Sequence, residues 1–130
     1  MEHSFPEGDF HVRGRFWISG PDETFLGYGR VVLLERIKEY GSITKAAKSM
    51  SMSYRHAWEL IESMNLQHGK PLVISAVGGR GGGGARLTTE GERAIIIFRQ
   101  LHDRFKDFLK DLESELASLK KQRIRTGGPR

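Results

Sequence analysis

A glycine-rich stretch between two short apolar segments limits what this chain can form more than any other feature. The stretch VGGRGGGGARLT covers residues 77–88, and six of its twelve residues are glycine. It could bind a phosphate, close a β-hairpin or serve as a floppy loop. Its G-x-G-x-x-G pattern lacks the following helix of a dinucleotide site, and no Gly-Lys-Ser/Thr follows as in a P-loop. A strand-like segment, ARLT, follows instead, which favours a hairpin whose tip needs positive φ angles.

Residues 26–40, upstream of the glycine run, are predicted to form an amphipathic helix. Val31, Leu34 and Ile37 recur every third residue and so share one helical face. Gly41 follows where a left-handed C-cap commonly ends a helix. We therefore expect this helix to end near residue 40.

Two shorter helical segments follow and are separated only by Met50-Ser51-Met52. The first offers Ser42 or Thr44 as its N-cap, and the second offers Ser53. A short helix, a tight turn and a longer helix form a helix-turn-helix. The small residues at the predicted close crossing are Ala46, Ala47 and Ala57, and the buried stripe of the second helix is Ala57, Leu60 or Ile61, and Met64.

Two further elements flank this motif. Phe10–Ser19 alternates apolar and polar residues, which predicts a half-buried strand. From Thr89 to about residue 119, apolar residues recur at steps of four and three, which predicts a rod of roughly 45 Å. Such a helix either packs lengthwise on its own domain or, as we favour, pairs with a second chain. The predicted dimerisation residues are Phe98, Leu101, Phe105, Phe108 and Leu112.

Positive charge is concentrated in the middle of the chain. The formal net charge is +5, and residues 28–88 carry nine basic and four acidic side chains. Such a segment containing a helix-turn-helix favours a nucleic-acid partner over a merely basic surface. The predicted fold is therefore mainly α with a small β-hairpin wing: a winged helix-turn-helix with an N-terminal strand and a long C-terminal dimerisation helix. The predicted divisions are an N-terminal strand and arm (1–25), the DNA-binding domain (26–88), the dimerisation helix (89–120) and a basic disordered tail (121–130).

Several function classes are not expected. The chain has no cysteine, which excludes disulfides and thiol chemistry. Its five histidines lack metal-ligand spacing, and no catalytic grouping is recognisable, so we expect no metal, no cofactor and no enzyme. No apolar run reaches the roughly 20 residues of a membrane span, and the N-terminus lacks a secretory signal. A cytoplasmic protein that has no membrane contact is expected.

The motif and the glycine run together resemble a known family. GSITKAAKSMSMSYRHAWELIESMN followed by LVISAVGGRGGGGARLTTEG is similar to the N-terminal DNA-binding domain of ModE-type molybdate-responsive transcriptional regulators, and more distantly to the LysR-type winged helix. The resemblance covers about half of the chain. It implies a dimer joined through the long helix, with the second helix of the motif in the major groove and the wings on the flanking backbone.

The chain departs from that family in two places. The family tends to have Glu-Arg after Leu-Val, where this chain has Ile74 and Ser75. ModE-type proteins usually continue into a molybdate-binding domain, and we expect no molybdate-binding domain in this chain. The resemblance therefore does not imply molybdate sensing.

A helix in the major groove reads bases mainly with its first turns. Arg55 is the candidate for a bidentate contact to guanine, and His56 is either a second contact or a plain exposed histidine. Trp58 is predicted to lie in the core. The phosphate-binding candidates are Ser42, Lys45, Ser53 and Tyr54, and those of the wing are Arg80, Gly81, Gly82 and Arg86.

The leading hypothesis is a dimeric, sequence-specific regulator of transcription that binds double-stranded DNA. The alternative is a protein-interaction adaptor that uses the winged helix and the long helix, with DNA binding secondary. A third hypothesis is a nucleotide-binding module that uses the glycine loop. Salt dependence of duplex binding separates the first two, and a thermal shift with mononucleotides tests the third.

Overall fold

A computed structural model describes residues 2–3, 8–76, 84–122 and 124–125 of the chain. The chain divides into two compact units: Phe16–Leu101, and Met1–Arg15 together with His102–Arg130. The elements in chain order are β1 (Glu2–His3), β2 (Ile18–Ser19), β3 (Thr24–Leu26), α1 (Tyr28–Tyr40), α2 (Ile43–Ser49), α3 (Tyr54–His68), β4 (Val73–Ala76), β5 (Gly84–Leu87), α4 (Thr89–Lys120) and β6 (Ile124–Arg125).

Local capping chemistry sets the end of α1 and the starts of α2 and α3, as the sequence predicts, whereas α1 begins at Tyr28, two residues after its predicted start. Gly41 ends α1 in the left-handed region, with φ at 66°. Ser42 Oγ accepts a hydrogen bond from the Lys45 N–H at 3.1 Å, and Ser53 Oγ accepts one from the His56 N–H at 3.1 Å. Each cap satisfies a backbone donor that the helix leaves unpaired, which typically stabilises by about 1 kcal/mol.

The turn between α2 and α3 places a serine where glycine is common. Ser51 has a φ of 53°, in a region that costs a non-glycine residue roughly 1–2 kcal/mol. The carbonyl of Ala47 accepts hydrogen bonds from the N–H groups of Met50 and Met52, both at 3.0 Å. These two bonds hold the turn tight despite the unfavourable backbone angle.

The core of the larger unit forms where α2 packs against α1 and α3. Ala46, Ala47 and Ala57 are all buried, which confirms that small side chains occupy the close crossing. Ile61 is buried and Leu60 is only partly so. Ile61 is therefore the member of that pair on the buried stripe.

The glycine run connects two antiparallel strands. β4 and β5 pair from Val73↔Leu87 to Ala76↔Gly84, which confirms the predicted hairpin; we call this pair of strands the wing hairpin. A return strand follows the glycines in place of the helix that a dinucleotide fingerprint requires. Residues 77–83 lie outside the described residues, and with them the predicted contacts Arg80, Gly81 and Gly82.

The N-terminal strand is shorter than the predicted span Phe10–Ser19. Strand pairing is confined to β2, which pairs with β3 through Ile18↔Leu26. Phe16 and Ile18 pack against the core, so the predicted inward face is correct in this part. Alternation indicates which side of a segment meets an apolar surface, whereas a strand also needs a neighbouring backbone with which to exchange hydrogen bonds.

The long helix α4 confirms the predicted helical rod and is capped by Thr88. Thr88 Oγ1 accepts a hydrogen bond from the Gly91 N–H at 3.1 Å. Further along α4, the Arg99 guanidinium donates two hydrogen bonds to the Glu35 carboxylate of α1, at 2.6 and 2.9 Å. Hydrogen bonding to that carboxylate raises the pKa of Arg99 above its ordinary value.

In the smaller unit, residues 8–15 lie along the C-terminal part of α4. The Val12 N–H donates to the Glu113 carboxylate, and Lys120 Nζ donates to the Gly8 carbonyl at 2.8 Å. β1 and β6 pair antiparallel. This pairing differs from the disordered tail that the sequence predicts over 121–130, because backbone groups can pair without an apolar side-chain pattern. Residues 123 and 126–130 lie outside the described residues.

Candidate nucleic-acid interface

The first turn of α3 presents a row of exposed side chains. Ser53, Tyr54, Arg55 and His56 are all exposed, because the buried stripe of the same helix occupies another face. The first turn contains no acidic residue. A helix end of this kind can enter a major groove without repelling phosphates.

Arg55 lies beside an acidic neighbour one turn further along α3. Its Nε is 3.5 Å from Glu59 Oε2, and the Arg55 side chain is 88% exposed. Such an exposed pair contributes at most about 1 kcal/mol. Because the contact uses Nε, both Nη groups of Arg55 remain available for a bidentate contact to guanine.

Trp58 does not lie in the core, so the prediction for this residue is wrong. It is 46% exposed, and with Tyr54, Arg55 and Glu59 it lines a shallow depression on α3. The stripe of small and aliphatic residues on α3 already fills the space between the helices. Sequence spacing alone did not decide whether Trp58 lies on the buried or the exposed face of α3, because an aromatic residue at that spacing suits either face.

α2 adds positive charge next to this face. Lys45 is exposed, as its predicted role requires, and Lys48 is a second exposed lysine that the sequence analysis did not single out. α2 contains no acidic residue. Ser42 is half-buried, and its hydroxyl can still donate a hydrogen bond while it accepts the capping one.

The base of the wing hairpin is fastened to the start of the helix-turn-helix. The Ala85 N–H donates to the Gly41 carbonyl at 3.0 Å, so β5 runs next to the residue that precedes Ser42. Arg86 is exposed, whereas Ala85 and Leu87 on either side of it are buried. Of the predicted wing residues with side-chain charge, Arg86 is the one inside the described ranges, and its contact with DNA stays a prediction.

Asn65 connects α3 to the wing hairpin and was not among the predicted site residues. Its Oδ1 accepts a hydrogen bond from the Leu72 N–H at 2.8 Å, and its Nδ2 donates to the Val73 carbonyl at 3.2 Å. One side chain thereby pairs both a donor and an acceptor where β4 begins. The only sequence signal for Asn65 is its place in the motif shared with the ModE-type family.

Asn65→Leu is expected to lower the free energy of unfolding by about 2 kcal/mol, because it leaves part-buried backbone groups without partners. Urea unfolding followed by circular dichroism measures this change. Asn65→Asp keeps the acceptor and loses the donor, so its loss should be smaller. Equal stability of Asn65→Leu and the parent would show that the wing hairpin does not depend on this contact.

Exposed apolar side chains follow one face of α4. Leu101 is 42% exposed and Phe108 is 55% exposed. Phe105 and Leu112, on the same face, are half-buried. Ile97 is also exposed on this face, although the sequence analysis did not include it. A second chain could cover this face, whereas an isolated surface helix rarely presents such a row.

Phe98 does not belong to that exposed face, so its predicted role in dimerisation is wrong. The side chain is fully buried in the larger unit, and its ring centroid is 5.5 Å from that of Phe16. The regular spacing identifies the apolar stripe of α4 correctly. Near its start, α4 packs its apolar stripe against the core of the larger unit, and Phe98 belongs to that part of the stripe.

Other kinds of site find little support within the described ranges. No three histidine, aspartate or glutamate side chains there converge as metal ligands would. No helix in the same ranges combines the length and apolarity needed to cross a bilayer.

The chain is related by sequence to known bacterial regulators. Residues 29–92 match the family described as bacterial regulatory helix-turn-helix protein, lysR family. The chain is 41% identical over 93 residues to the molybdenum transport protein ModE of Azotobacter vinelandii, which covers 72% of this chain and 34% of that protein. It is 38% identical over 105 residues to the DNA-binding transcriptional dual regulator ModE of Escherichia coli, with coverage of 75% and 40%.

The chain spans well under half the length of these curated relatives. The fold is similar to the crystal structure of the CbnR DNA-binding domain in complex with DNA, with a TM-score of 0.54, 16% identity, and coverage of 72% of this chain and 99% of that one. The chain therefore contains, at residues 29–92, a helix-turn-helix domain of the lysR type, and it is a homologue of ModE over the matched region.

Proposed function

We propose that the chain is a sequence-specific regulator of transcription that binds double-stranded DNA as a homodimer. α3 enters the major groove and the wing hairpin lies on the neighbouring backbone. The observation that carries the proposal is the exposed, acid-free first turn of α3 beside the fastened base of the wing hairpin. The name of the Escherichia coli relative, a DNA-binding transcriptional regulator, supports the same function.

Electrostatics favour a phosphate backbone as the partner of this surface. Lys45, Lys48 and Arg86 are exposed, and within the described residues no ion pair engages them. When lysine and arginine side chains contact DNA phosphates, counterions condensed on the DNA are released. This release supplies affinity that does not depend on the base sequence. In the proposal Arg55 and His56 read bases, and the phosphate contacts are made by Ser42, Lys45, Ser53, Tyr54, Arg80, Gly81, Gly82 and Arg86.

The exposed face of α4 supports the homodimer. In the proposal Ile97 replaces the buried Phe98, and the interface also contains Leu101, Phe105, Phe108 and Leu112. Two copies related by a two-fold axis present two α3 helices to the same duplex. The site in DNA should therefore consist of two inverted half-sites.

The remaining parts of the proposal concern the class and place of the protein. We propose a cytoplasmic regulator without catalytic activity, divided at the positions that the sequence predicts, into 1–25, 26–88, 89–120 and 121–130. The adaptor alternative is not favoured, because the curated relatives of this chain include proteins named as transcriptional regulators.

Arg55→Ala and Arg86→Ala are expected to weaken DNA binding in different ways. Arg55→Ala should remove about 1–3 kcal/mol of discrimination at one base pair of each half-site. Arg86→Ala should weaken specific and random duplexes alike, and should reduce the salt slope by about 1 for each protomer. Fluorescence anisotropy over a series of salt concentrations measures both effects.

Lys106→Ala provides the matched control, since it removes one exposed positive charge from α4 and should change neither property. The test begins with selection of bound fragments from random DNA, which should enrich a two-fold symmetric site. If the parent enriches no duplex, the proposed function is wrong. If Arg55→Ala retains the full base preference, the proposed role of Arg55 is wrong.

A further inference from the structure

Two aromatic side chains remain uncovered on α3, in a depression of about 410 Å³ lined by Tyr54, Arg55, Trp58 and Glu59. We call these four residues the reading face. Tyr54 is 52% exposed and Trp58 is 46% exposed. They are four residues apart and therefore lie one above the other on the helix. Their neighbours Arg55 and Glu59 form a parallel row that is already joined by an ion pair.

The reading face combines an apolar row with a polar row, and this combination limits what can cover it. Covering an aromatic ring with an apolar group is favourable, because both surfaces are removed from water. Base edges in the major groove present hydrogen-bond donors and acceptors, and a single kind of apolar group, the 5-methyl group of thymine. A surface that is apolar along one row and carries an arginine along the next therefore matches thymine beside guanine.

The charge around the reading face favours DNA over an apolar protein surface as the occupant. Lys45 and Lys48 of α2 are exposed on the element that precedes α3, and that element contains no acidic residue. Two exposed lysines on the neighbouring helix suit the phosphates that flank a major groove. A purely apolar partner would have to cover these charges without compensation.

We propose that Trp58 and the ring of Tyr54 are specificity determinants that contact the 5-methyl groups of thymine in each half-site, while the Tyr54 hydroxyl keeps its proposed phosphate contact. This inference rests on the proposed function, because it assumes that α3 enters the major groove. It adds a base preference that the exposed arginine alone does not supply. Each half-site should contain a thymine close to the guanine that Arg55 contacts.

The test replaces single thymines by deoxyuridine in the duplex that the parent protein enriches from random DNA. Deoxyuridine removes only the methyl group and leaves base pairing unchanged. The parent should lose affinity about fourfold at one or two thymines of each half-site, as expected for one buried methyl group. Trp58→Ala should bind the thymine duplex more weakly and be indifferent to deoxyuridine at the same positions.

Leu66→Ala is the matched control, since Leu66 is 75% exposed near the other end of α3 and should behave as the parent does. Tyr54→Ala provides a second variant if Trp58→Ala lowers the thermal unfolding temperature. The inference is overturned if the parent is indifferent to deoxyuridine at every thymine, or if both aromatic variants keep the full deoxyuridine penalty. A parent that enriches no duplex overturns both the proposed function and this inference. Indifference to deoxyuridine in an enriched duplex overturns the inference alone.

Discussion

Gly91→Ala should lower the free energy of unfolding by about 3 kcal/mol, at the upper end of what overpacking a core costs. A Cβ atom at this position would overlap the carbonyl oxygen of Leu72 and would lie 3.2 Å from its carbonyl carbon. That peptide cannot move aside easily, because the Leu72 carbonyl accepts the Thr88 N–H at 2.9 Å and the Val73 N–H of the same peptide donates to Asn65 Oδ1 at 3.4 Å. Urea unfolding of the purified protein measures the change.

Gly29→Ala is the control for Gly91→Ala, since both glycines lie in helices and receive the same added methyl group. Nothing lies within 4 Å of a Cβ atom at Gly29, so alanine should raise the free energy of unfolding by roughly 0.5–1 kcal/mol through its better helix propensity. Opposite signs for the two variants are the expected result. A stable Gly91→Ala protein would mean that the start of α4 and the residue before β4 are not in close contact.

Phe108→Asp should convert the protein into a monomer and reduce its affinity for a two-fold symmetric DNA site by about 100-fold, because the second half-site is then no longer delivered by the same particle. Phe108 is 55% exposed, so the change removes little from the packing of the chain itself. A buried aspartate in a dimer interface, in contrast, is strongly unfavourable. Sedimentation equilibrium measures the oligomeric state, and anisotropy measures DNA binding.

Ile96→Asp is the matched control for Phe108→Asp. Ile96 is also 55% exposed on α4, but helical geometry rotates it about 120° away from Phe108. This variant should keep the oligomeric state and the DNA affinity of the parent. A monomeric parent, or equal dissociation of both variants, would contradict the assignment of the dimer to this face of α4.

Much of the helix-turn-helix could be predicted because its determinants are local. Ser42 and Ser53 cap helices through contacts with residues three positions away, and Gly41 ends a helix because it lacks a side chain. The wing hairpin could be predicted because strand-forming residues flank a run of glycines. Such signals depend on neighbours along the chain and not on the rest of the fold.

The candidate site could be predicted only in part. The exposure of Arg55 followed from the buried stripe of α3, whereas the exposure of Trp58 did not. Asn65 carries no local signal for its two hydrogen bonds, since both partners lie on a later segment of the chain. These positions depend on which surfaces other elements have already covered.

The amino-acid sequence by itself determined where α1 ends, where α2 and α3 begin and where the hairpin turns back, since capping and glycine act over a few residues. The tertiary structure decided that Phe98 belongs to the core while Phe108 stays exposed on the same helix. It also decided that strand pairing in the Phe10–Ser19 segment is confined to β2. The physical reason is the same in both cases: an apolar pattern specifies that a face must be covered, and only the packed chain determines what covers it.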